Sequence, residues 1–290
     1  MSDIIASPST RRRARERGVD LVTLARQLGR QTIGVEDIDT TPRAASADTS
    51  FWDVDHARFG PVTEEPVSRF GQLAARNLAA AQALIPAVTH HDRADVTRIE
   101  ALRNSWKPDA GARGVRLTAL AFHVAALARA LHLFPRFNAS PSSDGKTLIL
   151  KGSVHIGVAV DTPHGLMVPV IRNADQKGLW QIAGEITDLA SRANARKIAP
   201  DEMGGASMTI TSLGGIGGTA FTPIVNPPEV AILGITRTRV KTVWDGDTPR
   251  PVPMVPLDLS YDHRVINGAD AARFLSHYCG LIRDPRNMLI

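Results

Sequence analysis

A chain of 290 residues is long enough to bury one large core and a small one beside it. Its 43% apolar and 22% charged residues are the balance of a soluble globular protein, and aromatics at 5% are too sparse to build stacking platforms for single-stranded nucleic acid. The net charge of +5 is uneven: "RRRARER" (11–17) sets five arginines against one glutamate, a face suited to nucleic acid, a membrane, an acidic protein surface or plain solvent.

In chain order, Ser7 reads as an N-cap and Pro8 as the first residue of a helix that Gly18 ends. A second short helix is predicted near Glu36, and "DTTPRAASADTS" (39–50), small and polar, reads as a linker. The expected organisation is a small all-α domain over 3–39, a linker over 40–52 and a large domain over 53–290. Within the last, "RFGQLAARNLAAAQALI" (69–85) predicts a helix broken by Pro86, and "AVTHHDRAD" (87–95) a strand that leads to a helix. "LTALAFHVAALARALHLF" (117–134) is too short and too polar to span a bilayer, with two histidines and an arginine, and predicts a buried helix. Residues 146–174 are rich in β-branched side chains and predict strands, whereas 179–195 places Ile182, Ile186 and Leu189 on one face of a helix. Residues 206–244 predict a strand, a glycine-rich loop, a double proline and a long strand; "MVPLDLSYD" (254–262) is the last strand and 268–282 the closing helix. Strands and helices alternate too loosely for a doubly wound sheet, so a mixed sheet is expected. The one cysteine, Cys279, cannot close an intramolecular disulfide, and no charged-then-apolar leader opens the sequence; both point to a reducing, cytoplasmic setting.

The chemistry concentrates in "LSYDHRVINGADAARFL" (259–275). His263 falls at a strand end just ahead of a helix, where a loop can shape a site between rigid flanks; a lone histidine there is more often structural. Asp262-His263-Arg264-Val265-Ile266-Asn267-Gly268 resembles the C-terminal signature of the 2-oxoacid dehydrogenase acyltransferases and their chloramphenicol acetyltransferase relatives. "MTITSLGGIGGTAFTPIVNPPEVAILG" (208–234) and "IGVAVDTPHGLMVPVIRNADQKGL" (156–179) resemble the same family, so the likeness runs from about Asp53 to Ile290. It implies an α/β, chloramphenicol acetyltransferase-like mixed-sheet sandwich.

The resemblance also implies roles. An acyl group would pass between a lipoyl thiol and the thiol of coenzyme A, with His263 as the base that takes and returns the thiol proton. Thr211 would steady the oxyanion; Ser212 is its neighbour, but adjacent strand residues face opposite ways and only one can serve. Asn267, where many relatives carry Asp, would orient a group in the site, or simply cap the helix. "GGIGG" lacks the lysine and following helix of a phosphate loop, so nucleotide hydrolysis is excluded; Ser212, Gly214 and Gly215 are assigned instead to close packing beside a coenzyme A channel. Many relatives hold an arginine where Ala80 stands, and Arg76, one turn earlier, is its expected substitute; no metal ligand set is expected.

The relatives are trimers with sites shared between subunits, which implies a homotrimer or a larger shell. Their lipoyl domains have no counterpart here, so the lipoyl group would come in trans, or the chain is a fragment. "ASPSTRRRARERGVDL" with "EDI" resembles the peripheral subunit-binding domain of these enzymes, which docks dehydrogenase subunits; Arg11, Arg12 and Arg15 then suit an acidic protein surface better than nucleic acid or a membrane. "RQLGRQTI" (26–33) departs from that domain's glycine-rich loop. Two other readings stand beside catalysis: a non-catalytic scaffold, and acyl transfer to a free small molecule.

Overall fold

A computed structural model describes residues 4–17, 19–40 and 52–289. The chain divides into two compact units, Met1–Pro66 and Val67–Ile290.

The first unit holds helices α1 (Pro8–Arg17), α2 (Leu21–Leu28) and α3 (Val35–Thr40) around Ala14, Leu24, Ile33 and Ile38. Ser7 caps α1, its Oγ accepting from Thr10 N at 3.1 Å. Helix α2 was not expected from the sequence. It is one amphipathic stretch of eight residues, "LVTLARQL", started by Asp20, whose carboxylate accepts from Val22 and Thr23 N, and stopped by Gly29 at φ 64°. Gly18 and residues 41–51, most of the expected linker, lie outside the described residues. Arg13 and Arg17 turn to Asp39, and Arg11 donates to the carbonyls of Ile4 and Ala6. Arg12 and Arg15 stay exposed.

In the second unit, Ser68 caps α4 (Arg69–Leu84), which ends before Pro86; β1 (Ala87–Asp95), α5 (Thr97–Ser105) and α6 (Lys107–Ala112) follow. Helix α7 (Ala119–Leu133) is buried on nearly every side, with Arg129 and His132 left exposed. Short strands β2 (Ala139–Pro141) and β3 (Leu148–Leu150) pair with each other, whereas β4 (Ile156–Val158) and β5 (Val170–Ile171) join the main sheet. Helix α8 (Leu179–Asn194) buries Ile182, Ile186 and Leu189 as its pattern predicts. The remaining elements are β6 (Met208–Ser212), β7 (Ala231–Ile235), β8 (Arg239–Asp245), β9 (Thr248–Asp262), α9 (Gly268–Arg283) and α10 (Arg286–Leu289).

The seven-stranded sheet runs β1-β9-β7-β6-β4-β5, with β8 also on β9. Strands β4, β6 and β7 are parallel and the other pairings antiparallel, the mixed sheet that the loose alternation implies. Within the sheet, two readings differ from expectation. The long strand read up to Trp244 is two strands, β7 and β8, and β9 is one strand of 15 residues with prolines at 249, 251, 253 and 256. Over Thr248–Pro253 only β8 pairs with β9, so the alternate prolines 249, 251 and 253 can turn their missing N–H groups to an open edge.

Burial follows the strand period. Met208 and Ile210, Leu233 and Ile235, Leu257, Leu259 and Tyr261 share one core with α7, α8 and α9. The opposite face carries different chemistry.

Candidate active site

On that face the register sets Thr211, Gly234, Asp258 and His91 side by side across β6, β7, β9 and β1. The next row is Thr209, Ile232, Ser260 and Thr89, with the last two hydroxyls 2.7 Å apart. Asp258 is buried, meets His91 Nδ1 at 2.6 Å and accepts from Phe221 N at 3.3 Å. Gly234 lets the Phe221 ring lie on the sheet, since a Cβ there would come within 2.7 Å of it.

A cavity of about 850 Å³ opens over these rows. Thr209 and Thr211 form its floor, Phe221, Asn226, Glu229 and Ile232 line one side, and α4 contributes Leu78, Ala80, Ala81 and Leu84 to another. The lining is mostly apolar with a few polar groups, as in sites for small organic ligands. Thr211 is half-buried; Ser212 is exposed and its Oγ accepts from Gly214 N at 3.4 Å. Strand alternation thus puts Thr211 in the cavity and Ser212 outside it.

The other assigned residues fall elsewhere. Gly214 does not line this cavity, and Gly215 lines a separate one with Arg103, Lys107 and Arg116. The glycine loop is folded away by Arg237, whose guanidinium donates to the carbonyls of Gly214, Gly215 and Ile216. Ala80 faces the cavity but Arg76 does not; it is exposed on α4.

The Asp-His-Arg run is a fixed turn at the end of β9. The buried Asp262 carboxylate accepts from Arg264 N at 3.0 Å, Nε at 2.9 Å and Nη2 at 2.7 Å, a forked pair that raises the guanidinium pKa. Val265 N and Ile266 N close on the Asp262 carbonyl. His263 is left exposed between the pair, anchored by its own N–H to Pro86 O at 3.2 Å, with its ring 5.8 Å from that of Tyr261. Asp262, Arg264 and Val265 line the cavity in this chain, and His263 does not. Asn267 caps α9, its Oδ1 accepting from Asp270 N at 2.8 Å. Among the described residues no group of three or more His, Cys, Asp or Glu side chains could hold a metal ion.

Residues 59–290 match the catalytic domain of the 2-oxoacid dehydrogenase acyltransferases. The chain belongs to this family. Its acyltransferase relatives include the dihydrolipoyllysine-residue acetyltransferase component of the pyruvate dehydrogenase complex of Azotobacter vinelandii, 45% identical over 98% of this chain and 47% of that protein. The Pseudomonas aeruginosa component is also 45% identical, over 98% of this chain and 55% of its own length. The chain therefore spans about half the length of the curated relatives it matches. Among solved structures, the Azotobacter vinelandii dihydrolipoamide acetyltransferase studied for the role of a serine, a histidine and an asparagine in its mechanism aligns at 50% identity and TM-score 0.80, covering 82% of this chain and 98% of that one. The cubic core of a pyruvate dehydrogenase multienzyme complex aligns at 51% identity and TM-score 0.80, with the same coverage. The mixed sheet with helices packed on one face is thus the acyltransferase fold of this family.

Two features of this site have no place in the sequence reading. The Asp262–Arg264 pair is one, an acid and an arginine two residues apart at a strand end that clamp the turn. Glu229 was passed over inside "NPPEV", where a lone acid in an apolar run is itself the signal.

Proposed function

We propose that the chain transfers an acetyl group between a dihydrolipoyl thiol and the thiol of coenzyme A. His263 takes the proton of the attacking thiol, the thiolate adds to the thioester carbonyl, and the Thr211 hydroxyl donates to the oxyanion. Collapse expels the second thiolate, which recovers the proton from His263. Asn267, as the cap of α9, orients the turn that carries the base.

The observation that carries this reading is positional. Thr211, His263 and Asn267 stand at the same sequence separations as the serine, histidine and asparagine of the Azotobacter vinelandii enzyme, and Thr211 presents a hydroxyl where that protein has its serine. Two further facts support a site shared between copies. Thr211 faces the cavity while His263 of the same chain does not, so a base from a neighbouring copy would complete it. The rim is apolar and open, with Leu84 68% and Leu166 57% exposed, a surface that suits cover by protein.

A homotrimer is then the smallest active unit, and the cubic core of the relative is a precedent for a larger one. The further assignments are of the same standing: a docking domain over 3–39 offering Arg12 and Arg15 to an acidic dehydrogenase surface, a linker over 40–52, a catalytic domain over 53–290, lipoyl groups supplied in trans and a cytoplasmic setting. No described helix is long and apolar enough to cross a membrane.

The test is acetyl exchange between acetyl-CoA and free dihydrolipoamide. His263→Ala is expected to abolish it with the assembly intact, and Thr211→Ala to lower kcat about a hundred- to thousandfold, ~3–4 kcal/mol of barrier, with Thr211→Ser retaining most activity. Full exchange by His263→Ala would refute the assigned base, and inertness of the wild type would favour a scaffold.

A further inference from the structure

The two sides of Thr211 differ. Toward β4 the cavity continues over Ala159, Leu166 and Val168. Toward β7 it meets Phe221, whose ring lies on Gly234, the residue paired with Thr211. Adjacent strands are ~4.8 Å apart, so the ring stands beside Thr211.

That ring is held in place. A Cβ at position 234 would come within 2.7 Å of its Cε1 and Cζ atoms, so only glycine lets it sit this low on the sheet. The Phe221 N–H donates to Asp258 Oδ2 at 3.3 Å, and the other oxygen of that carboxylate meets His91 Nδ1 at 2.6 Å. Asp258 flanks Gly234 on the side away from Thr211, its Cβ 3.2 Å from where a Gly234 Cβ would stand. A second cavity, of about 310 Å³, begins there and is lined by Thr219, Ala220, His91 and Asp258 among others. Phe221 borders the Thr211 cavity and Asp258 the second one, so the ring is the partition between them.

What a partition beside Thr211 does follows from the shapes of the substrates. Both thiols end long chains, which must leave the cavity through its open rim at Leu84 and Leu166. Only the acyl group terminates inside. With the thioester carbonyl held at Thr211, its carbon substituent takes the closed side, against the Phe221 ring. A methyl group fits beside an aromatic ring. Each further methylene must displace a ring fixed by its backbone and its seat, and packed side chains resist such displacement.

We propose that Phe221, seated on Gly234, is the wall that limits the transferred acyl group to about the size of acetyl. The assignment rests on the acyl-transfer reading and names the residue that sets its substrate class.

The experiment measures kcat/KM for transfer to free dihydrolipoamide from acetyl-, propionyl- and butyryl-CoA with the full chain. Wild type should lose about tenfold for each added methylene. Phe221→Ala, which frees the volume of a phenyl ring, should bring butyryl-CoA to within about tenfold of acetyl-CoA, and Phe221→Leu should recover propionyl-CoA before butyryl-CoA. A loosened fold would lower all three rates together and leave their ratios where they were. Wild type that uses butyryl-CoA as well as acetyl-CoA, or Phe221→Ala that keeps the wild-type ratios, overturns the proposal. Should Phe221→Ala fail to fold, Phe221→Leu and the wild-type series decide. A wild type inert toward all three would instead sink the acyl-transfer reading itself.

Discussion

Cys279 shows how a single residue can stay out of the thiol chemistry proposed for the same fold. Its thiol is buried on α9, and burial first, then the charge and contact of Asp92, push its pKa up to about 12. At neutral pH the thiolate is then on the order of one part in 10⁵, and the thiolate is the nucleophile. Native protein should therefore resist iodoacetamide at pH 7.5 at least a hundredfold more than the unfolded chain. Mass spectrometry of the labelled chain reads this directly, and labelling at the rate of a free cysteine would contradict the buried position. The same contrast separates the histidines. His263 is exposed beside a clamped turn, whereas His123 is sealed in the core against Tyr278.

At the scale of elements, the turn from β9 into α9 joins His263, the proposed base, to the helix behind it, and Asn267 is the joint. Losing its cap should cost about 1 kcal/mol, so Asn267→Ala should lower the urea midpoint while Asn267→Asp, which keeps an acceptor for Asp270 N, should not. An unchanged midpoint in Asn267→Ala would show that the cap carries no stability. This element was legible because its signals are local: a capping residue, a glycine and an apolar face of period 3.6. The same holds for α4, α7 and α8; the family resemblance picks Thr211, and strand alternation keeps Ser212 off the same face. What escaped was set at a distance. The sequence assigns Ser212, Gly214 and Gly215 to packing beside a coenzyme A channel, but Ser212 is turned outward and Arg237, arriving from beyond β7, holds the carbonyls of Gly214 and Gly215. Arg76 was chosen by helical spacing, yet α4 turns Asn77, Leu78, Ala80 and Ala81 to the cavity instead. The start of β9 at Thr248, ahead of the expected 254, follows from an open edge, which is a property of the sheet and not of the strand.

At the scale of the whole molecule, the sheet separates two environments: an apolar core shared with α7, α8 and α9, and a polar face where ligands can enter. The core has its own polar element. His123 on α7 is 4% exposed, with Nδ1 2.6 Å from the Tyr278 hydroxyl on α9, and burial lowers its pKa from 6.5 to about 4. In the unfolded chain the imidazole takes a proton below pH 6.5, while in the folded chain it stays neutral down to about 4. The unfolded state therefore binds more protons across that window, and stability falls as pH drops through it, by roughly 3 kcal/mol in all. His155 is lowered chiefly by burial and adds a loss of the same sign. Glu202, held at about 2 by Arg192, loses its contribution only as pH falls from 4.5 to about 2. The early part of the acid loss, between pH 6.5 and 5, thus belongs to the histidines. Urea unfolding across that interval should show stability falling in the wild type and a flatter profile in His123→Gln; equal slopes would place the sensitivity elsewhere.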